Sequence, residues 1–274
     1  MNLKLIKTAI ILLLFVSCNS NDKNSENQTK SDNKNATPAI NYSLVSSFPH
    51  DITSFTEGFL IHEGILYEST GFTEELPQTR SLFGEVDLKT GKINPKVELD
   101  KSKYFGEGIT FLNGKIYQLT YQTKIGFVYD AKTFKKLNEF TFPSKEGWGM
   151  TTDSTYLIMS DGTNVLTYLD PSTLKPTKTV KVEDKNGPVM NVNELEYIKG
   201  FIYANIYTTS YIIKIDPNNG KVIGKLDLTS LSNEQKTKSP GSFEMNGIAY
   251  NPATDKIYIT GKLWSNIYEI HFSH

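Results

Sequence analysis

Tyr104-Phe105-Gly106-Glu107-Gly108-Ile109-Thr110 sets a single carboxylate between two glycines and beside an aromatic ring, and the chain rebuilds that arrangement along its length. Phe55-Thr56-Glu57-Gly58 precedes it. Glu146-Gly147-Trp148-Gly149, Asn193-Glu194-Leu195-Glu196 and Met245-Asn246-Gly247 follow. After each comes a turn and a run of β-branched and aromatic residues, such as Gly64-Ile65-Leu66-Tyr67, Gly114-Lys115-Ile116-Tyr117 or Gly200-Phe201-Ile202-Tyr203. Most units continue into a third run (126–130, 165–170, 211–216) and reach a fourth through turns such as Lys89-Thr90-Gly91. The period is roughly 40 to 50 residues, the length of a four-stranded propeller blade. Helical repeats would need a 3.6-residue periodicity that these segments lack.

Five such units predict an all-β fold, a five-bladed β-propeller spanning 41–274 as one domain despite its length. The final unit, 246–272, holds only about three strands, and a strand is left over at 41–48. The leading strand is therefore expected to complete the last blade. In such a ring the first strand of each blade lines the central channel, so the carboxylate and carboxamide positions converge at one mouth.

Composition agrees with a β-rich chain: fifteen Tyr and fifteen Phe, a net charge of -1, and one cysteine. Near-neutral charge implies neither nucleic acid nor an acidic surface as partner. Lys4 and Lys7 precede an apolar run from Ala9 to Val16 that is too short to span a bilayer and is shaped like an export signal. Phe15-Val16-Ser17-Cys18 resembles a bacterial lipobox, which implies a lipoprotein-type signal peptide over 1–18 and lipidation of Cys18. Residues 19–40 are rich in Asn, Ser, Asp and Lys and are expected to be a disordered linker. Together these features predict an exported, membrane-anchored lipoprotein, periplasmic or at the outer membrane.

The converging positions are Phe55, Glu57, Phe105, Glu107, Trp148, Asn193, Glu194 and Asn246, with Lys262 and Trp264 at the end of a neighbouring strand. Acids, carboxamides, an amine and aromatics suit a small polar ligand that carries an amine. His50, His62, His271 and His274 have no metal-ligand spacing, and no Ser-His-Asp set, phosphate loop or dinucleotide fingerprint is visible. No cofactor is required on this reading; a cation held in the channel by Glu57, Glu107 and Asn193 is the alternative.

In order along the chain, Phe55-Thr56-Glu57-Gly58-Phe59, Phe105-Gly106-Glu107-Gly108, Glu146-Gly147-Trp148-Gly149, Asn193-Glu194-Leu195-Glu196 and Thr260-Gly261-Lys262-Leu263-Trp264 resemble the motifs of propeller-type glutaminyl-peptide cyclotransferases. The resemblance runs from about residue 42 to the end. It implies closure of an N-terminal glutamine of a peptide or protein to pyroglutamate with release of ammonia. Glu107 would then shuttle the proton, and Lys262 and Asn193 would assist at the oxyanion or the γ-amide. Phe55, Glu57, Tyr121, Trp148, Tyr207 and Trp264 would bind substrate, in a monomer. The chain departs from the family pattern at Glu57, usually Gln, and at Tyr121 and Tyr207, usually Trp. A non-catalytic propeller that binds peptides, and a calcium-dependent lactone hydrolase, are the competing readings. Trp148 and Trp264 would also serve as packing between blades.

Overall fold

The computed structural model describes residues 37–274. The signal segment 1–18, Cys18 and nearly all of the 19–40 linker lie outside them.

The chain forms five antiparallel four-stranded sheets. β1 (Tyr42–Pro49) is set aside at the start. Blade 1 is β2 (Thr56–His62), β3 (Ile65–Thr70), β4 (Leu82–Val86) and β5 (Ile93–Glu98). Blade 2 is β6 (Gly106–Leu112), β7 (Lys115–Thr120), β8 (Ile125–Asp130) and β9 (Lys136–Thr141). Blade 3 is β10 (Met150–Thr152), β11 (Leu157–Met159), β12 (Val165–Leu169) and β13 (Pro176–Lys181), followed by the small hairpin β14 (Glu183–Asp184) and β15 (Gly187–Pro188). Blade 4 is β16 (Val192–Ile198), β17 (Phe201–Ile206), β18 (Tyr211–Ile215) and β19 (Val222–Asp227), and the helix α1 (Thr229–Lys238) comes next. Blade 5 is β20 (Met245–Asn251), β21 (Lys256–Gly261) and β22 (Asn266–Phe272), completed by β1.

β1 pairs with β22 from Tyr42 opposite Phe272 to Pro49 opposite Asn266, so the two ends of the propeller share one blade as expected. Pairing extends upstream of the expected start at 41. Ile40 N donates to Lys225 O at 2.8 Å, and Lys225 N to Pro38 O at 2.9 Å, which lays the segment against β19. Just after β1, His50 locks the junction. Its Nδ1 reaches Trp264 O at 2.8 Å and its Nε2 reaches both Glu68 oxygens at 3.1 Å. Burial opposes the imidazolium, but the Glu68 carboxylate outweighs it and raises the His50 pKa.

Burial falls from the axis outward. Every residue of β6 is buried, whereas only Phe140 is buried in β9. Five apolar clusters fill the spaces between neighbouring blades; Leu60, Tyr67 and Phe83 of blade 1, for example, pack against Ile109, Phe111 and Phe127 of blade 2. The helix has no apolar stripe to announce it. Leu231 and Gln235 are its buried residues, and Gln235 Nε2 donates to Ser242 and Ser265 while its Oε1 accepts from Tyr268.

In four of the five inner strands the register breaks at the same place: between Thr56 and Gly58, Gly106 and Ile109, Val192 and Leu195, and Met245 and Ile248. A bulge bends a strand and re-aims the side chains within it. The polar residues inside these bulges are Glu57, Glu107, Asn193, Glu194 and Asn246, and three of them, Glu57, Glu107 and Asn193, reach the cavity at the channel mouth.

Gly108 and Gly149 hold equivalent places at the start of the inner strands of blades 2 and 3. A Cβ on Gly108 would lie 2.5 Å from Met150 N and 2.6 Å from Trp148 O of the next blade, and one on Gly149 would lie 2.2 Å from Asn193 O. Close approach of neighbouring backbones, rather than positive φ, demands glycine here. Gly108 N also donates to Trp148 O at 2.8 Å, a backbone bond between blades 2 and 3. Gly108→Ala is expected to lower stability by about 2 kcal/mol or more, through overpacking and a weakened interblade bond. Urea unfolding checks this, and an unchanged midpoint would contradict the close-contact account.

Candidate active site

The channel mouth opens into a cavity of about 480 Å³ lined by Phe55, Glu57, Phe105, Glu107, Tyr121, Trp148, Asn193, Tyr207 and Lys262, with Phe72, Thr73, Glu74 and Glu75 at one side. Backbone bonds at the blade tops set these residues side by side. Gly71 N donates to Phe55 O, Tyr121 N to Phe105 O, Tyr207 N to Asn191 O and Lys262 N to Glu244 O. Tyr121, Tyr207 and Lys262 thus occupy the same place in blades 2, 4 and 5. Glycine fills that place in blades 1 and 3, leaving room for the rings of Phe105 over Gly71 and Trp148 over Gly162.

Lys262 Nζ lies 2.8 Å from Glu57 Oε1, and Asn246 Nδ2 donates to Glu57 Oε2 at 3.1 Å. The ammonium also sits 4.6 Å from the Phe55 ring centre and 5.1 Å from that of Tyr207. Burial pushes the Glu57 carboxyl up to about 7 against the pull of Lys262. Burial alone would lower the Lys262 pKa; Glu57 and Glu107 outweigh it and raise it, so the amine stays charged.

Glu107 is held differently. It is buried, and among the described residues its carboxyl has no hydrogen-bonding partner; only its backbone carbonyl is engaged, by Ser69 Oγ at 2.6 Å. Burial first and the Glu57 charge second raise its pKa well above the ordinary carboxyl value, with Lys262 opposing. The cavity therefore holds a carboxyl paired with the ammonium and a buried carboxyl with no partner and a raised affinity for a proton. Asn193 Oδ1 is a second unpaired group, buried and without a partner.

Aromatic rings form the walls. Trp148 and Tyr207 meet edge to face with centres 5.4 Å apart, Phe55 and Phe105 likewise at 5.9 Å, and Phe105 leans on Tyr121 at 5.8 Å. A narrow aliphatic chain ending in a polar planar group fits such a space, with its polar end toward Glu107, Asn193 and Lys262. A cation coordinated by Glu57 would have to share that carboxylate with the Lys262 ammonium. Among the described residues no cluster of three or more His, Cys, Asp or Glu is placed to hold a metal ion.

Residues 11–272 match the family model described as glutamine cyclotransferase. The chain belongs to this family. A glutaminyl-peptide cyclotransferase from Arabidopsis thaliana is 37% identical over 230 residues, covering 83% of this chain and 70% of the relative. The crystal structure of Myxococcus xanthus glutaminyl cyclase superposes with a TM-score of 0.77 at 29% identity, covering 86% of this chain and 98% of that one.

Within this glutamine cyclotransferase fold, eight of the nine expected substrate and catalytic positions come together in the cavity, and Trp264 does not. Leu263 takes a left-handed conformation with φ of 56°, which turns the chain back after Lys262. The Trp264 indole then folds into the core between blades 4 and 5, with Nε1 donating to Phe243 O at 3.0 Å and its edge against Tyr268. It is a packing residue. Glu194 and Asn246, expected at the mouth, lie below it. Glu194 accepts from Phe59 N at 3.3 Å and Ile248 N at 2.9 Å, bridging blades 1 and 5.

Phe72, Thr73, Glu74 and Glu75 were not foreseen as lining residues. They belong to the eleven-residue connection 71–81 between β3 and β4, where β7 and β8 are joined by four. That excess length is the sequence signal for them, since the repeat itself gives no equivalent. Phe72 N donates to Ser81 Oγ and Thr73 N to Thr79 Oγ1, both hydroxyls buried, so the connection is built rather than loose.

Proposed function

We propose that the protein is a glutaminyl-peptide cyclotransferase that converts the N-terminal glutamine of peptides or proteins to pyroglutamate with release of ammonia. The observation that carries the reading is the buried Glu107 carboxyl without a partner, set in an aromatic cavity beside Lys262 and Asn193. The names and coverage of the relatives support it.

In this mechanism the α-amine nitrogen attacks the γ-carbonyl carbon, the carbon to amide-nitrogen bond breaks, and one proton moves from the attacking to the leaving nitrogen. A single carboxyl placed between them suffices for that transfer. An α-amine titrates near 8 and an ordinary carboxyl near 4, so an unperturbed Glu would be a poor base for it. Raising the Glu107 pKa brings the two closer and lets one group serve as base and then as acid. Lys262 has three N–H donors; with one toward Glu57, the others are available to the oxyanion that develops on the γ-carbonyl. The unpaired Asn193 Oδ1 accepts from the γ-amide N–H₂ and orients it. Trp148, Tyr207, Phe55 and Phe105 hold the glutaminyl methylenes folded so that the reaction is intramolecular, where orientation supplies much of the acceleration.

Glu57 has a consequence of its own. A carboxamide there would leave Lys262 its full charge, whereas the carboxylate neutralises part of it and raises the Glu107 pKa. The activity should accordingly depend on pH through both carboxyls.

The full chain is expected to release ammonia from a glutaminyl dipeptide. Glu107→Gln is expected to lower kcat at least ~10²-fold with an unchanged circular dichroism spectrum. Full activity in that variant would remove Glu107 from the mechanism.

We further propose that the protein is exported and anchored through a lipid on Cys18, facing the periplasm or at the outer membrane, where it meets exported peptides. The apolar run from Ala9 to Val16 and the adjoining Cys18 support this. Labelled fatty acid fed to a bacterial host should appear on the wild type and be absent from Cys18→Ser; an unlabelled wild type would sink the anchor.

A further inference from the structure

We propose that Glu146 is a positioning residue for the cavity: its carboxylate clamps the Trp148 indole, and with it the blade 2 connection at Gln122, into the wall that receives the glutaminyl side chain. Glu146 does not itself line the cavity, so it acts through the residues it holds.

The clamp is visible bond by bond. Trp148 Nε1 donates to Glu146 Oε2 at 3.0 Å, and Gln122 Nε2 donates to Glu146 Oε1 at 3.0 Å. One carboxylate thus joins the segment leading into blade 3 to the connection between β7 and β8 of blade 2. Its own backbone is fixed: Ser144 Oγ donates to Glu146 O at 2.7 Å, and Gly147 N donates to Tyr121 O at 2.9 Å. The Tyr121 phenol feels the same carboxylate, which adds to burial in raising its pKa.

Trp148 needs such a hold. The indole is only half-buried, lies over Gly162 and touches Tyr207 by its edge. Those apolar contacts fix its plane loosely, because a ring resting on a glycine has no side chain to stop it sliding. The indole has one polar atom, a donor, and the bond to Glu146 selects the rotamer that faces the cavity. The chain of contacts continues from Trp148 through Tyr207 to Lys262, which links the clamp to the polar end of the site.

The kinetic part of the test rests on the cyclase reading of the cavity; the spectroscopic part does not. Glu146→Leu removes the acceptor, whereas Glu146→Gln keeps a carbonyl oxygen for the indole. With a glutaminyl dipeptide, Glu146→Leu is expected to raise KM roughly tenfold with kcat within about threefold, and Glu146→Gln to stay within about threefold in KM. The chain has two tryptophans, and the buried Trp264 is shielded, so acrylamide quenching reports Trp148. Quenching should rise in Glu146→Leu and not in Glu146→Gln. If Glu146→Leu leaves quenching unchanged, or Glu146→Gln raises it as much, the clamp is wrong. Should the wild type release no ammonia, the function proposed above falls, while quenching still decides the clamp.

Discussion

Two buried carboxyl groups and one buried ammonium share the cavity, and only one of these carboxyls touches the ammonium. Lys262 is committed to Glu57 at 2.8 Å, with Asn246 supporting the far oxygen. Breaking a buried pair of this kind by removing one partner leaves an uncompensated charge and typically costs about 3 to 5 kcal/mol. Glu107 has no such partner, and burial raises its affinity for a proton. The rest of the site follows from that division: a cation held by one carboxyl, and a second carboxyl free to exchange a proton with whatever enters.

The propeller is what makes such an arrangement affordable. Apolar clusters between the blades supply the stability, so the axis is free to carry polar groups. Backbones approach closely at Gly108 and Gly149, and the bulges in the inner strands of blades 1, 2 and 4 present Glu57, Glu107 and Asn193 to one cavity. One constraint therefore links the fold to the site. The blade that departs from it is informative: at the place where other blades have glycine, blade 4 has Glu194, and its carboxylate ties Phe59 of blade 1 to Ile248 of blade 5 across the axis.

The blades were legible in the sequence because each repeats a turn and an aromatic second strand, and closure by the leading strand followed from a last unit one strand short. The family motifs carried the cavity residues, including Tyr121 and Tyr207, which no pattern of spacing would have chosen. Three features were not legible. α1 is held by Leu231 and the polar hub at Gln235, which leave no periodic signal. Trp264 follows Lys262 by two residues and looked like a neighbour in the pocket, but a left-handed Leu263 reverses the chain between them. Glycine at 108 is demanded by contact with the next blade, which no single-chain propensity encodes.

The pairing of Glu57 leaves Glu107 to be judged directly. In protein labelled with ¹³C at the glutamate carboxyl, the Glu107 signal can be assigned by its loss in Glu107→Gln and followed against pH. A midpoint well above the ordinary carboxyl value of 4.5 is expected from burial and the neighbouring Glu57 charge. A midpoint at or below that value would mean that burial does not raise the proton affinity of Glu107, and the single acid and base at the centre of this account would not exist.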